Sequence, residues 1–171
     1  MDEVVGASEA TGGETGVDGR VGGGGKTGLR GQDVGYGGRV IAIDQDPQAV
    51  AAVESWNEKR KYCVQASLGN FADLPELLDA LGVDLVDGVV LDLGLSSDQL
   101  ADETRGFSCE SVGNLDLRFN PLCGEPAYRL LERLGERHLA DLIYQYGEER
   151  YSRRIARRIV ETRRTDPVRT A

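Results

Sequence analysis

A glycine run followed by an acidic residue is the first pattern in this sequence that points to chemistry. Gly22 to Gly25 follow a short apolar segment, and Asp44 ends the next one, RVIAI. In open parallel sheets, a glycine-rich turn after the first strand lets a ligand approach the backbone, and an acid about 20 residues later holds ribose hydroxyls. This spacing favours a cofactor that contains a nucleoside. A simple linker and a helix-capping aspartate remain the alternatives.

Two other nucleotide sites compete for the same glycine run. A Walker phosphate loop needs a further glycine at position 20, where the sequence has Arg20, and this argues against that loop. A dinucleotide site is the better competitor, but residues 22–38 do not present a clean G-x-G-x-x-G with a well-formed helix behind it. A module that binds a nicotinamide cofactor therefore stays open as a remote alternative.

The elements around these residues alternate between strands and helices. Asp46 followed by Pro47 is typical of a helix start, with an N-cap and proline at the first helical position. The alternation predicts a parallel α/β sheet with right-handed crossovers. The helix after the first strand is expected to be weak or missing, because residues 28–38 are rich in glycine. The predicted strands are 17–21, 39–43, 62–66 and 87–91, and the predicted helices are 47–59 and 74–81.

The last third of the chain is expected to be helical, over residues 126–134, 136–146 and 148–164. Apolar side chains at helical spacing form a stripe on each of the last two helices, comprising Leu139, Leu142, Ile143 and Tyr146 on one, and Tyr151, Ile155 and Ile159 on the other. The segment 150–164 carries seven arginines against Glu161 alone, although the whole chain has a net charge of -9. The overall charge argues against nucleic acid binding by the whole surface. The basic helix is either a solvated face or a surface for RNA.

Composition excludes several classes of protein. No run approaches the roughly 18 apolar residues that span a bilayer, and the acidic start does not resemble a signal peptide, so we expect a cytoplasmic protein. Cys63, Cys109 and Cys123 form no CxxC pair, and His138 is the only histidine, so neither a metal site nor a disulfide framework is expected. The cysteines are expected to be small, buried or half-buried residues.

Several long motifs stand in register along the chain. They are VDGVVLDLGLSSDQLADETRGFS at 86–108, LDLRF at 115–119 and YGEERYSRRIARRIVETRR at 146–164, together with VDGRVGGGGKT, VIAIDQDP and the pair Asn70 and Phe71. These motifs resemble those of the MraW-type ribosomal RNA cytosine-N methyltransferases. The resemblance implies an α/β fold, a Rossmann-like class I methyltransferase sheet that is incomplete here, with a partial helical insertion. The implied domains are a disordered glycine-rich tail at 1–16, a cofactor-binding core at 17–104 and the partial insertion at 105–171.

The cofactor implied by the resemblance is S-adenosylmethionine. Gly24, Gly25 and Lys26 would meet its methionyl end, and Asp44 would meet its ribose. Phe71 and Asp92 would line the adenosine pocket. Gln99 would contact the cofactor from the loop that follows Asp92.

The implied reaction is methylation of the exocyclic 4-amino group of a cytosine in the decoding region of 16S rRNA. An exocyclic amine is a poor nucleophile, so catalysis should rest on placing it in line with the methyl group, with acceptors for its hydrogens at Asp92, Ser96 and Ser97. The base must also leave its stack. The expected partner is 16S rRNA in the small ribosomal subunit, with no DNA, no membrane, and a homodimer left open. The expected substrate-binding residues are Arg105, Arg150, Arg153, Arg154 and Arg157.

The sequence departs from the family pattern in three places. Lys26 stands where the family usually has histidine, residues 28–38 replace a helix, and the matching sequence stops inside the helical insertion. We therefore expect this chain, as it stands, not to methylate ribosomal RNA. A catalytically inactive fragment is the alternative to an active methyltransferase.

Overall fold

One parallel sheet organises the first part of the protein. The computed structural model describes residues 13–22, 37–60 and 63–170, and within these ranges the sheet has the strand order β3-β2-β1-β4. The strands are β1 (Thr15–Asp18), β2 (Arg39–Asp44), β3 (Val64–Leu68) and β4 (Gly88–Val90). All three strand pairings are parallel, so the predicted parallel α/β arrangement is confirmed.

Helices α1 (Pro47–Arg60) and α2 (Leu74–Ala80) connect the strands, with a 3-10 turn at Phe71–Asp73 before α2. Successive residues of β2 point to opposite faces of the sheet and enter two separate apolar clusters. Val40 and Ala42 pack with Val53 of α1, whereas Ile41 and Ile43 pack with leucines of α2. Because both faces are covered, β2 is buried along almost its whole length.

The start of α1 follows the sequence prediction. The Gln48 amide donates to the Asp46 carboxylate at 3.0 Å, so Asp46 caps the helix and Pro47 takes its first position. The segment after α2 turns at Gly82, which has a φ of +66°. This left-handed conformation suits glycine, as the sequence predicts for the end of that helix.

Two strands begin two residues away from their predicted starts. β1 covers 15–18 instead of 17–21, and β3 covers 64–68 instead of 62–66. Pairing with β2 sets these limits, since Asp18 is the last residue of β1 in register with a neighbour and Leu68 lies opposite Asp44. Short apolar runs do not specify this register by themselves.

The chain divides into two compact units, one up to Asp98 and the other from Gln99. The division falls a few residues before the expected boundary at 104 and lies within the short helix α3 (Ser97–Ala101). The predicted helices do not include this segment, so α3 is an addition to the prediction. The second unit contains α4 (Ala127–Arg133), α5 (Glu136–Gly147) and α6 (Ser152–Thr162).

Helices α5 and α6 pack through small and apolar residues. Leu139 and Ala140 of α5 meet Ala156 of α6, and Leu131, Leu134, Ile143 and Ile159 surround this cluster. The predicted stripes are only partly confirmed, because Tyr146 is 81% exposed and Tyr151 is 46% exposed. Each of the two helices buries one face against the other, and the tyrosines at the ends of the two stripes lie outside these buried faces.

Two further observations concern the cysteines and whether any helix could cross a membrane. The prediction for the cysteines was wrong, because Cys63, Cys109 and Cys123 are all exposed. Each of them lies in a connecting segment outside the helices and strands. In the described ranges, no helix combines the length and the apolar character needed to cross a membrane.

Candidate functional site

The carboxyl ends of the four strands meet at one edge of the sheet. β1 ends at Asp18 and β2 at Asp44, and the segment after β4 reaches Asp92. The strand order reverses between β1 and β4, since the chain runs outward from β1 through β2 and β3 and then returns to the other side of β1. Open α/β sheets bind ligands in the crevice at this switch point. The candidate site therefore lies at the ends of β1 and β4.

Asp44 ties the segment after β1 to the end of β2. Its carboxylate accepts the Gly22 amide at 3.0 Å through one oxygen and the Asp46 amide at 2.9 Å through the other. Asp44 is only 5% exposed, and Gly22 has a φ of +53°, which favours glycine. The glycine segment and the acid that the sequence pairs by spacing are thus in direct contact.

Asp18 is a polar residue of this edge that the sequence reasoning missed. It ends β1, is 1% exposed, and accepts the Arg20 amide at 3.3 Å. A charged side chain this deeply buried is rare unless it has partners or a function. The signal that could have found it is an acid directly before a glycine-rich turn.

Arg20 links the loop after β1 to the loop after β4. Its guanidinium donates to the carbonyl oxygen of Asp92 at 3.4 Å. A Cβ placed on Gly22 would lie 3.3 Å from Cβ of Ser96 and 3.4 Å from the Arg20 guanidinium, so the two loops adjoin there as well. The structure therefore brings the predicted residue Ser96 next to Gly22, and the Asp92 carbonyl next to Arg20.

Gly19 and Phe71 show how closely the ends of β1, β3 and β4 approach one another. The Gly19 amide donates to the Val90 carbonyl at 2.9 Å, and a Cβ on Gly19 would lie 2.4 Å from Leu91 and 3.3 Å from Phe71. Phe71 is half-buried at the start of its 3-10 turn, beside the strand ends. Its contact with a cofactor remains a prediction.

The other predicted site residues in this part of the chain are not all tested. Gly24, Gly25 and Lys26 lie outside the described residues. Asp92 and Ser97 are exposed, and Ser96 is half-buried. Gln99 is 5% exposed and belongs to the second unit, so its cofactor contact also remains a prediction.

The predicted arginines of α6 and its start are exposed and fall into two groups. Arg150 and Arg154 lie against the Tyr151 ring, with their guanidinium carbons 4.6 and 5.5 Å from its centre. Arg153 and Arg157 line a cavity of about 480 Å³ together with Glu136 and Asp141. Arg157 also forms an ion pair with Glu136 at 3.4 Å. Arg154 and Arg157 both line a groove of about 890 Å³, together with Tyr151, Ile155, Ile159, Arg158 and the acids Glu149 and Glu161.

Arg105 differs from the other predicted substrate-binding residues. It is 6% exposed, and its guanidinium donates to the carbonyls of Arg118 and Phe119, both at 2.6 Å. It also lies 5.3 Å from the centre of the Phe107 ring. The expectation that Arg105 contacts the substrate is not supported, because its charged group is used to hold two segments of the second unit together.

Comparison with known proteins agrees with the geometry. A family model described as the MraW methylase family matches residues 1–171. Ribosomal RNA small subunit methyltransferase H of Trichlorobacter lovleyi is 42% identical over 158 residues, which are 92% of this chain and 50% of the relative. The protein of the same name from Deinococcus radiodurans is 45% identical over 168 residues, which are 98% of this chain and 52% of the relative.

Among solved structures, a Clostridium thermocellum protein assigned as an rRNA methylase superposes with a TM-score of 0.50 at 22% identity, covering 56% of this chain and 52% of that one. This likeness shows the fold, which is the Rossmann-like fold of class I methyltransferases. The chain spans about half the length of the curated relatives it matches. On the family model and these identities, the chain belongs to the MraW methylase family.

Proposed function

We propose that this chain supplies the S-adenosylmethionine site of an enzyme that methylates the 4-amino group of a cytosine in the decoding region of 16S rRNA. The contact between Gly22 and Asp44 carries this proposal, because it forms a nucleoside-binding edge at the carboxyl ends of β1 and β2. The names of the relatives support ribosomal RNA of the small subunit as the substrate class. Work on ribosomal subunits would place the protein in the cytoplasm.

The residues at this edge fit the cofactor. Each carboxylate oxygen of Asp44 accepts one backbone amide and has a second lone pair with which it can accept a ribose hydroxyl. Gly22 lacks a side chain where a Cβ would project toward Ser96 and Arg20, which keeps the space between the two loops narrow but open. Asp18 and Asp92 add negative charge that favours a ligand with an ammonium and a sulfonium group.

The chemistry needs few groups from the protein. S-adenosylmethionine supplies the electrophilic methyl group when it is bound. Asp92, at the loop after β4, would accept a hydrogen bond from the amino group and hold its nitrogen toward the methyl group. Ser96 and Ser97 would complete the acceptors on the same loop. Because the loop adjoins Gly22 through Ser96, both reactants can be held at one edge of the sheet.

The RNA would be held by the second unit. Exposed arginines on one helix are typical of phosphate contacts, and the groove beside Tyr151 offers an aromatic ring for a base. Arg150, Arg153, Arg154 and Arg157 remain the proposed contacts, and Arg105 is withdrawn from this set.

Calorimetric titration tests the cofactor, with S-adenosylhomocysteine and a nicotinamide dinucleotide as the two ligands. We expect the first to bind at one site and the second not to bind. The reverse result would replace this proposal with the nicotinamide-binding alternative. Transfer of label from S-adenosylmethionine to small ribosomal subunits lacking the modification, by a chain of the relatives' full length, then tests the substrate, and label at a position other than a cytosine amino group would contradict it.

A further inference from the structure

Arg20 occupies a position between the two loops that form the candidate site. It follows the buried end of β1 by two residues, is half-buried, and reaches across to the carbonyl of Asp92 beyond β4. Its Nη1 atom also lies 3.4 Å from the position that a Cβ on Gly22 would occupy. The charged end of Arg20 is therefore at the switch point of the sheet, in the crevice itself.

The charge of this edge makes the position unusual. The described residues at the carboxyl ends of the strands, 18–22, 44–47, 68–71 and 91–97, include the carboxylates Asp18, Asp44, Asp46 and Asp92, and within these ranges Arg20 carries the one positive charge. A ligand with an amino-acid end presents a carboxylate as well as an ammonium. The acidic side chains suit the ammonium, but they repel a carboxylate.

An arginine is suited to bind a carboxylate at such a place. The guanidinium carries five N–H donors in a fixed plane, and one of its nitrogens donates to the Asp92 carbonyl. A planar fork of this kind matches the two oxygens of a carboxylate. The backbone around Arg20 is held by the Asp18 carboxylate, which fixes where the side chain starts.

We infer that Arg20 is a cofactor-binding residue that holds the carboxylate of the methionyl group. This inference rests on the proposed function, since it names the part of S-adenosylmethionine that Arg20 recognises. The acidic side chains of the same edge would then bind the ammonium of the methionyl group. Lys26 is the alternative residue that could bind this carboxylate. It lies a few residues further along the sequence, outside the described residues.

The experiment separates recognition of the carboxylate from binding in general. Two ligands are titrated calorimetrically into the whole chain, namely S-adenosylhomocysteine and its decarboxylated analogue S-adenosyl-3-thiopropylamine, which keeps the amine but lacks the carboxylate. The proteins are the original chain, Arg20→Gln, Lys26→Gln and Arg164→Gln. Arg164 is an exposed arginine of the second unit and serves as the matched control. Circular dichroism spectra of all four check that they fold alike.

In Arg20→Gln, we expect the affinity for S-adenosylhomocysteine to fall about ten- to a hundredfold, the range for losing a charged hydrogen-bonding partner. The affinity for the decarboxylated analogue should stay the same within about twofold, because no carboxylate is present to lose its partner. Arg164→Gln should bind both ligands as the original chain does.

Three other results would each have a distinct meaning. An equal loss for both ligands in Arg20→Gln would show that Arg20 only shapes the loop, and the inference would be overturned. A carboxylate-selective loss in Lys26→Gln alone would assign the carboxylate to Lys26 instead. Failure of the original chain to bind either ligand would contradict the proposed function itself.

Discussion

The Gly22 amide donates to the Asp44 carboxylate at 3.0 Å and so joins the segment after β1 to the end of β2. The same carboxylate holds the Asp46 amide, and Asp46 in turn caps α1. One buried acid therefore fixes the glycine segment, the end of a strand and the start of a helix. This relationship underlies the first prediction.

Asp44→Asn should weaken binding of S-adenosylhomocysteine by about 1 to 3 kcal/mol, because the amide provides one acceptor oxygen where the carboxylate provides two. Calorimetric titration measures the change. Asp84→Asn, an exposed acid of the same unit, serves as the control and should bind normally. Unchanged affinity in Asp44→Asn would contradict the ribose contact.

Asp92→Ala, introduced into a chain of the relatives' full length, should abolish methylation while leaving some cofactor binding. Asp92 is exposed on the loop that adjoins the glycine segment, where it can accept a hydrogen bond from the target amine. Transfer of labelled methyl groups to small ribosomal subunits measures the effect, and Asp79→Ala is the exposed control. Turnover at the original rate in Asp92→Ala would remove this residue from the catalytic assignment.

Replacing Arg163 should destabilise the second unit, although it belongs to the basic segment. Its guanidinium donates to the carbonyls of Leu131 and Leu134 at the end of α4, whereas the side chain of Arg164 is exposed. We expect Arg163→Met to lower the free energy of unfolding of the second unit by about 1 to 3 kcal/mol, because two half-buried carbonyls lose a charged donor. Hydrogen exchange of peptides from 127–162 measures this, and Arg164→Met should exchange as the original does.

The arginines at α6 should differ in their contribution to RNA binding. Replacing Arg150 and Arg154 with glutamine should weaken binding more than replacing Arg153 and Arg157, because Arg157 already forms an ion pair with Glu136. The two double variants change the charge equally, so each is the control of the other. Binding of a 16S rRNA fragment is measured against salt, and the slope should become shallower by about 0.7 to 0.9 for each phosphate that the variant no longer binds. Equal effects would contradict this ranking.

The ion pair of Asp116 and Arg118 should make the second unit less stable in acid. Arg118 donates to both oxygens of Asp116 at 2.7 Å, and these hydrogen bonds hold the pKa of Asp116 below its usual value. A lowered pKa in the folded state means that the stabilisation is complete above the unfolded pKa of about 3.9 and is lost as the pH falls through the lower folded value. Asp116→Asn should therefore increase hydrogen exchange at pH 7.

The dependence of this difference on pH tests the assignment. Urea unfolding followed by circular dichroism should separate Asp116→Asn from the original chain at pH 7, and the difference should shrink as the pH falls below the unfolded pKa of about 3.9. Glu110→Gln, an exposed acid in the same unit, should show no such convergence. A constant difference at all pH values would contradict the assignment to the Asp116 carboxylate.

The sequence by itself determined the alternation of strands and helices, the N-cap at Asp46 and the pairing of a glycine run with Asp44. These features are local, or they follow from the spacing of short strands, so residue type and periodicity are enough. The sequence does not predict the register of the strands, because the strands are short and pairing with β2 sets their first and last residues. This is why the predicted starts of β1 and β3 each differ by two positions from the observed ones.

Only the tertiary structure decided what the charged residues do. Residue type does not distinguish Arg20, Arg105 and Arg163 in the sequence. In the structure, Arg20 reaches across the crevice to Asp92, Arg105 holds carbonyls in a loop of the second unit, and Arg163 caps the end of α4. An arginine side chain is long enough to bind phosphate, a ligand or the protein's own backbone. Which of these it binds depends on the segments that folding brings within its reach, and residue spacing along the chain does not contain that information.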